Sequence, residues 1–120
     1  LWSDLQLRMM IEAKGNTSLS VGAVDLYQLD PRNRRAGVGI VIEEEERRNG
    51  HGLSALNLLS EYAFGHLGLH QIWAEVPASN GESLDLFNRA GFEKKGTLSD
   101  WVWHGSDWHD AHWMQKIAGQ

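Results

Sequence analysis

The spacing of apolar residues changes near Gly52, and this change limits the folds that the chain can adopt. Residues 35–42 (RAGVGIVI) predict a strand, and residues 71–76 (QIWAEV) predict another because their apolar positions alternate. A strand, a helix and a strand with short links predict a right-handed crossover between parallel strands. Between these strands the apolar residues recur at spacings of three and four, which predicts a helix with Leu53, Leu56, Leu59, Ala63 and Leu67 on one face. Gly68 is suited to end this helix.

Two further strands are predicted upstream of this unit. They cover Leu5–Ala13 and Ser20–Leu29, and each is followed by a turn signal, at Lys14–Asn16 and Asp30–Asn33. Short links between neighbouring strands favour antiparallel pairing. We therefore expect residues 5–42 to form three antiparallel strands.

The downstream part of the chain predicts a second helix and a final pair of strands. Ser79 and Glu82 have the spacing of a capping box, which predicts a helix over Gly81–Ala90 that ends at Gly91. The predicted fold class is α+β, or mixed α/β, with a mostly antiparallel sheet and one parallel βαβ crossover. The last two strands are predicted over Thr97–His104 and Trp108–Ile117.

The composition excludes several classes of protein. The chain has 120 residues, a length typical of one domain, and no cysteine, so disulfides and thiolate metal sites are excluded. Its net charge of −5 disfavours nucleic acid as a partner and suits a cationic substrate such as an amine. No apolar run is long enough for a membrane span, and Leu1–Glu12 lacks the features of a secretory signal. We expect a cytoplasmic protein that has neither nucleic acid nor a membrane as its partner.

The segment RRNGHG, residues 47–52, lies between a predicted strand and a predicted helix. The first N–H groups of a helix have no partner within the helix, and the helix dipole adds positive charge there. Gly50 and Gly52 let a phosphate approach the backbone, while Arg47 and Arg48 add charged donors. The Lys-Ser/Thr pair of a P-loop is absent. An ordinary strand-to-helix turn with solvated arginines is the alternative interpretation.

This segment and a second motif resemble signatures of the GCN5-related N-acetyltransferase (GNAT) superfamily. Arg47-x-x-Gly50-x-Gly52 matches the signature Q/R-x-x-G-x-G/A, and it lies where the family places it, after a strand and before a helix. Residues 80–92 (NGESLDLFNRAGF) resemble N-x-x-S-x-x-L-Y-x-x-x-G-F, with Phe87 at the tyrosine position.

The resemblance extends over most of the chain, from about Leu5 to Ile117. Asp30-x-x-x-Arg34-Arg35-Ala36 and the closing tryptophan-rich strands are similar to the branch that includes RimJ/RimL-type and spermidine acetyltransferases. The family's first strand and first helices have no counterpart, so we expect a single GNAT-like domain over residues 1–120 that lacks them.

The resemblance implies an acetyl-CoA-dependent N-acetyltransferase. The acceptor would be a primary amine, such as a protein N-terminus, a polyamine or another small amine. The cofactor would lie in a slot between the splayed strands 35–42 and 71–76, where one backbone N–H polarises the thioester carbonyl. The signature loop would bind the pyrophosphate. The implied cofactor-binding residues are Val41, Ile42, Arg47, Arg48, Asn49, Gly50, His51, Gly52, Leu53, Asn80, Ser83 and Phe87.

The resemblance also bears on the groups that transfer protons. Many relatives have a tyrosine acid where this chain has Phe87, which has no proton to donate, so Ser83, one turn earlier, is the candidate substitute. RimJ/RimL-like relatives often carry a glutamate directly after Arg-Arg-Ala, where this chain has Gly37. Asp30, Glu75 and a water chain are the alternatives for a base.

Histidines and tryptophans add weaker signals. His66 and His70 have the spacing of metal ligands on a helix, but the intervening Gly68 and the lack of a third ligand predict no metal site. Tryptophans cluster between Trp101 and Trp113. Core packing is the favoured interpretation, and an aromatic wall for an ammonium acceptor or a contact in a homo-oligomer is the alternative.

Two other functions remain open from the sequence. The first is a GNAT-fold module that binds CoA without turnover, which Phe87 and Gly37 favour. The second is a nucleotide-phosphate protein of another fold, and the missing Lys-Ser/Thr pair counts against it.

Overall fold

A mixed sheet organises the chain. The computed structural model describes residues 6–12, 20–42 and 50–119, and its strands form one six-stranded sheet. Numbered along the chain, the strands are β1 (Leu7–Glu12), β2 (Ser20–Asp30), β3 (Arg35–Ile42), β4 (Gln71–Pro77), β5 (Glu93–His104) and β6 (Asp107–Ile117). Their order in the sheet is β1-β2-β3-β4-β6-β5.

The pairing of the strands confirms the predicted fold class. β3 and β4 are parallel, and helix α1 (His51–Glu61) connects them. The other neighbouring pairs are antiparallel, including β5 with β6 at the edge. The predicted βαβ unit therefore lies in the middle of an otherwise antiparallel sheet.

The core lies between the helices and one face of the sheet. Leu56 and Leu59 of α1 are fully buried, and they share the core with Ile72 of β4 and with Phe92, which follows helix α2 (Gly81–Arg89). Full burial of such a side chain stabilises the fold by roughly 1.5–3 kcal/mol. Of the helices that the structure describes, none has the length and apolar character to cross a membrane.

The predicted helix over residues 52–67 consists of two parts. The α-helix α1 is followed by a π-helical turn over Tyr62–His66. The Leu67 N–H donates to the Tyr62 carbonyl oxygen, five residues back, at 3.0 Å, and the His66 ring stacks on Tyr62 with 4.9 Å between centroids. Gly68 follows with a φ of +68°, which confirms it as the end of the helix.

Several element boundaries differ from the prediction by one residue, the start of β5 and the cap of α2 differ for physical reasons, and two predicted ends lie outside the described residues. β5 begins at Glu93 rather than Thr97, because Glu93 and Lys94 already pair with β6. The N-cap of α2 is Asn80 rather than Ser79, since the Asn80 side chain accepts a hydrogen bond from the helix. The predicted ends of the first strand, residues 5 and 13, are not among the described residues.

Candidate active site

The parallel strands β3 and β4 pair only near their starts. Arg35–Gly37 pair with Gln71–Trp73, and no described residue of β4 pairs with β3 beyond Gly37. β3 stays paired with β2 as far as Ile42. The two parallel strands β3 and β4 therefore separate towards their carboxyl ends, as the predicted slot requires.

A cavity of about 1030 Å³ borders this opening. Its walls come from the end of β3, the start of α1 and one side of α2. It brings together most of the described residues that the sequence predicts at the cofactor: Val41, Ile42, Gly50, Gly52, Leu53, Asn80 and Ser83. The other lining residues were not predicted from the sequence, and they are Ile40, Gly81, Glu82, Asp85, Leu86 and Arg89.

Three of the predicted loop residues cannot be placed at this cavity. Arg47, Arg48 and Asn49 lie outside the described residues. His51 begins α1 and is half-buried, but it is not among the residues that line the cavity.

Gly50 forms the N-cap of α1 with a left-handed backbone, φ +82°. It has no side chain to cap the helix, and a Cβ atom built there would meet no atom within 4 Å. The start of the helix is thus open towards the cavity, with the positive end of its dipole nearby. This geometry suits an anion that is bound by backbone groups.

Gly52 has a second reason to be a glycine, which the sequence did not reveal. A Cβ atom there would lie 3.0 Å from Leu86 Cδ2 of α2 and 3.4 Å from Leu86 Cδ1. α1 and α2 therefore approach each other closely at the cavity, and a side chain at Gly52 would displace Leu86.

The first turn of α2 positions Asn80 and Ser83. The Asn80 Oδ1 atom accepts a hydrogen bond from the Ser83 N–H at 3.1 Å, and the Asn80 N–H donates to the Pro77 carbonyl oxygen at 2.9 Å. These bonds fix the start of α2 directly after β4. The half-buried Ser83 is thereby held at the cavity wall.

Phe87 lies in the core instead of the cavity. Its side chain is 3% exposed and meets Phe92 edge-on, with 5.0 Å between ring centroids. Phe87 is not among the residues that line the cavity, and its contact with the cofactor stays a prediction. Four residues turn a helix about 40° past a full circle, which moves position 87 from the cavity side, where Ser83 lies, to the core side.

The two carboxylates considered as bases have different surroundings. Asp30 accepts hydrogen bonds from the Asn33 side chain at 2.9 Å and backbone at 3.0 Å, and these bonds hold the pKa of Asp30 below its ordinary value. Asp30 pairs with Arg35 at the start of β3, which is roughly 20 Å of extended strand from Ile42. Glu75 lies on β4, on the sheet face opposite the helices, and its Oε2 atom accepts a hydrogen bond from Trp101 Nε1 at 3.0 Å.

Aromatic rings cover the position of the family's glutamate. Trp73 stacks on Trp113 with 4.6 Å between centroids, and Tyr27 meets Trp73 edge-on at 5.5 Å. A Cβ atom at Gly37 would lie 2.8 Å from the Tyr27 ring and 2.9 Å from the Trp73 ring. Burial, and then the charge of Glu75, raise the pKa of Tyr27. The rings thus occupy the space that a side chain at Gly37 would need.

Three of the four clustered tryptophans are exposed, so the core-packing interpretation is wrong for them. Trp101, Trp103 and Trp108 are 51%, 60% and 53% exposed. The reason is that β4 ends at Pro77, which pairs with Ala111, so the hairpin end between β5 and β6 extends past it. Trp103 and Trp108 pack edge-on against each other with 5.1 Å between centroids.

The histidines with metal-ligand spacing each have a contact with another residue. The His66 ring stacks on Tyr62, and the backbone N–H of His70 donates to the Arg34 carbonyl oxygen at 2.7 Å. Within the described residues, no three histidine or acidic side chains are arranged to hold a metal ion.

Comparisons with known proteins agree with this fold. Residues 2–93 match the Acetyltransferase (GNAT) domain family. The chain belongs to the GNAT acetyltransferase family. It is 30% identical over 106 residues to the uncharacterized N-acetyltransferase YoaA of Bacillus subtilis. These 106 residues are 88% of this chain and 59% of YoaA. It is also 30% identical over 78 residues to the spermidine N(1)-acetyltransferase of Vibrio cholerae. These 78 residues are 65% of this chain and 45% of that protein.

A solved structure shows the same fold. The dodecameric structure of spermidine N-acetyltransferase from Vibrio cholerae matches 93% of this chain and 64% of its own, with a TM-score of 0.86 and 24% identity. The chain spans about half the length of the curated relatives that it matches.

Proposed function

We propose that the chain binds acetyl-CoA and transfers its acetyl group to a primary amine. The observation that carries this proposal is that one cavity borders both the opening between β3 and β4 and the start of α1, where Gly50 is the N-cap. Membership of the GNAT family supports it, and the names of the spermidine and other N-acetyltransferases among the relatives point to an amine acceptor.

The residues at the cavity fit this cofactor. The backbone of Gly50–Leu53 at the positive end of α1 would hold the pyrophosphate, with Arg47, Arg48, Asn49 and His51 as the predicted neighbours. The edge of β3 near Val41 and Ile42 would hold the pantetheine by backbone hydrogen bonds. When bound, acetyl-CoA supplies the acetyl group as an activated thioester.

The residues of this chain then have defined roles. A backbone N–H of the separated part of β3 would polarise the thioester carbonyl. The acceptor amine must be deprotonated to attack that carbonyl, and the sulfur leaves as the new amide bond forms. Ser83 would donate a proton to the leaving thiolate, because Phe87 has no proton to give and is buried. A thiol like that of free cysteine, with a pKa of ~8.5, also leaves with modest help.

The acceptor is proposed to be a cationic amine, such as a polyamine. The net charge of −5 favours a cation. Glu75, which accepts a hydrogen bond from Trp101, lies on the sheet face opposite the helices, near the contacting rings of Tyr27, Trp73 and Trp113. Spermidine is the substrate in the names of several relatives. A carboxylate beside aromatic rings is a site that binds ammonium groups.

A CoA-binding module without turnover is the second candidate. The buried Phe87, at the position of the family's tyrosine, favours it. Calorimetric titration with acetyl-CoA, with ATP and NAD as controls, tests binding. Release of free thiol in the presence of spermidine and other amines tests turnover. Binding without turnover by any amine would select the module, and no binding would reject both candidates.

Ser83→Ala tests the proposed proton donor. We expect kcat to fall about a hundredfold, at the low end of the effect of a general acid, with little change in acetyl-CoA affinity. Ser54→Ala is the control, because Ser54 is an exposed serine of α1 that does not line the cavity. Equal kcat values for Ser83→Ala and the unchanged protein would remove Ser83 from this role.

We also propose that the protein forms homo-oligomers. The Vibrio cholerae neighbour is dodecameric in one structure, and Trp103 and Trp108 expose apolar surface here. Light scattering on the chain and on a variant with both tryptophans changed to serine tests this, and a monomeric mass for the unchanged chain would reject it.

A further inference from the structure

A second cavity lies at the far end of α1, away from the proposed cofactor site. Its volume is about 550 Å³, within the range of roughly 300–1000 Å³ that is typical of small-molecule sites. α1 rises roughly 1.5 Å per residue, so Glu61 at this cavity lies roughly 15 Å from the start of the helix at Gly50. None of the residues that line the second cavity lines the first, and they are Asn57, Ser60, Glu61, Phe64, Gly65 and Lys116.

One face of α1 and the turn after it form a wall of this second cavity. Spacings of three and four residues place four lining residues on the same side of the helix, namely Asn57, Ser60, Glu61 and Phe64. Phe64 belongs to the π-helical turn, and turns of this kind occur frequently at functional sites. The wall therefore combines an amide, a hydroxyl, a carboxylate and an aromatic ring.

Lys116 reaches the second cavity from the sheet. It pairs with Ile72, a core residue of β4, so its side chain lies on the sheet face that carries the helices. Its Nζ atom donates to Ser60 Oγ at 3.1 Å, and the Ser60 hydroxyl, which is buried, donates to the Leu56 carbonyl oxygen at 2.7 Å. An ammonium group has three N–H donors, and within the described ranges Ser60 alone accepts one of them. Two donors of Lys116 are therefore available to a ligand.

Lys116 and Glu61, both in the described part of the chain, bring opposite charges to one cavity, yet no ion pair joins them. Burial lowers the pKa of Lys116, as expected for an ammonium group without a carboxylate beside it. A lysine whose stem packs on the core while its amino group reaches water is the structural alternative. A ligand that carries both a carboxylate and an ammonium group would pair with both residues at once.

We propose that the second cavity binds a free α-amino acid with an apolar side chain. The carboxylate of the amino acid accepts hydrogen bonds from Lys116 Nζ and the Asn57 amide, and its ammonium group pairs with Glu61. Its side chain packs against the ring of Phe64. This inference does not depend on the proposed function, because the two cavities share no lining residue.

Calorimetric titration of the full chain with L-phenylalanine and L-leucine tests this proposal. The matched ligands are 3-phenylpropionate, which lacks the ammonium group of L-phenylalanine, and 2-phenylethylamine, which lacks its carboxylate. We expect both amino acids to bind. Each matched ligand should bind about tenfold more weakly than L-phenylalanine, because it loses one charge-assisted contact.

Two substitutions test the residues that would pair with the ligand. Lys116→Met keeps an unbranched stem and removes the charge, and Glu61→Gln keeps the shape of the side chain and removes the charge. We expect each to weaken the binding of L-phenylalanine about tenfold. Lys94→Met and Glu93→Gln are the matched controls, since they remove the same charges from β5, outside the second cavity.

Each possible result has a defined meaning. Binding of neither amino acid by the folded chain at millimolar concentrations would overturn the proposal, and so would equal affinities for L-phenylalanine and 3-phenylpropionate. Equal binding of L-phenylalanine by Lys116→Met and by the unchanged chain would also overturn it. A chain that binds L-phenylalanine but not acetyl-CoA would reject the proposed function and keep this inference. Thermal unfolding of each variant checks its fold, and Glu61→Gln, a change of an exposed residue, carries the test if Lys116→Met unfolds.

Discussion

Asn80 Oδ1 accepts a hydrogen bond from the Ser83 backbone N–H at 3.1 Å, so two residues of one motif fix both the start of α2 and a wall of the cavity. This relationship explains why the motif begins with asparagine. An asparagine at the N-cap satisfies one of the unpaired N–H groups of the helix start.

Asn80→Ala should therefore destabilise the protein. The loss of the cap lowers the free energy of unfolding by about 1 kcal/mol, whereas Asn80→Asp keeps an acceptor and should stay close to the unchanged protein. Urea unfolding measures both variants. Equal stability of the alanine and aspartate variants would show that the cap contributes nothing here.

Gly50→Val should weaken acetyl-CoA binding at least tenfold, because a branched side chain would stand where the anion approaches the start of α1. The positive φ of +82° adds about 1–2 kcal/mol of strain. Calorimetry measures the affinity, and urea unfolding measures the strain. Gly119→Val is the matched control, since Gly119 has a φ of +81°, open space around it and no place in the cavity. Undiminished acetyl-CoA binding by folded Gly50→Val would reject the pyrophosphate assignment.

The sequence predicts the β3–α1–β4 unit well because its signals are local. The apolar spacing of α1 and the glycines that follow each helix depend on neighbouring residues alone, and Gly68 and Gly91 both have the expected positive φ. The π-helical turn over Tyr62–His66 depends on how the chain returns to β4. A periodicity of three and four does not distinguish that turn from an α-helix.

The candidate site is predicted less completely, because a motif names residues without saying which way they face. Asn80 and Ser83 line the cavity, whereas Phe87 of the same motif faces the core. Leu86 and Arg89 continue the three-residue spacing from Ser83, which is the signal that could have found them. The contacts of Gly37 with the rings of Tyr27 and Trp73 join three strands and have no local signal.

Gly37→Ala should destabilise the protein by about 1–3 kcal/mol, the usual cost of overpacking. The added methyl would lie 2.8 Å from the Tyr27 ring and 2.9 Å from the Trp73 ring, and both rings are held by further aromatic contacts. Urea unfolding measures the change. Gly39→Ala is the matched control on the same strand, since its Cβ would come no closer than 3.8 Å to an atom of Tyr27. Equal losses for the two variants would contradict the explanation.

Lys116 should make the stability depend on pH in the alkaline range. Its Nζ atom donates to Ser60 Oγ at 3.1 Å, and burial lowers its pKa below the ordinary 10.5. At pH values between the lowered pKa of the folded protein and 10.5, Lys116 binds more protons in the unfolded chain than in the folded chain. The contribution of Lys116 to the free energy of unfolding therefore rises with pH in this range.

Lys116→Met should remove this rise, and Lys94→Met, a change of an exposed lysine, should keep it. Urea unfolding at a series of pH values measures the slope. The same slope in Lys116→Met and in the unchanged protein would show that another group causes the pH dependence.

Glu75→Gln should raise the KM for spermidine about tenfold while leaving the KM for acetyl-CoA unchanged, because the loss of one charge-assisted contact affects the cationic acceptor alone. Glutamine keeps an oxygen that can accept the hydrogen bond from Trp101 Nε1, so the change removes charge with little change of shape. Steady-state kinetics with each substrate varied in turn measures both constants. Glu93→Gln is the control, since it removes the same charge at the start of β5, where Glu93 pairs with Lys95. If spermidine is acetylated with the same KM by Glu75→Gln and by the unchanged protein, Glu75 does not bind the acceptor, and the site for the amine has to be sought elsewhere.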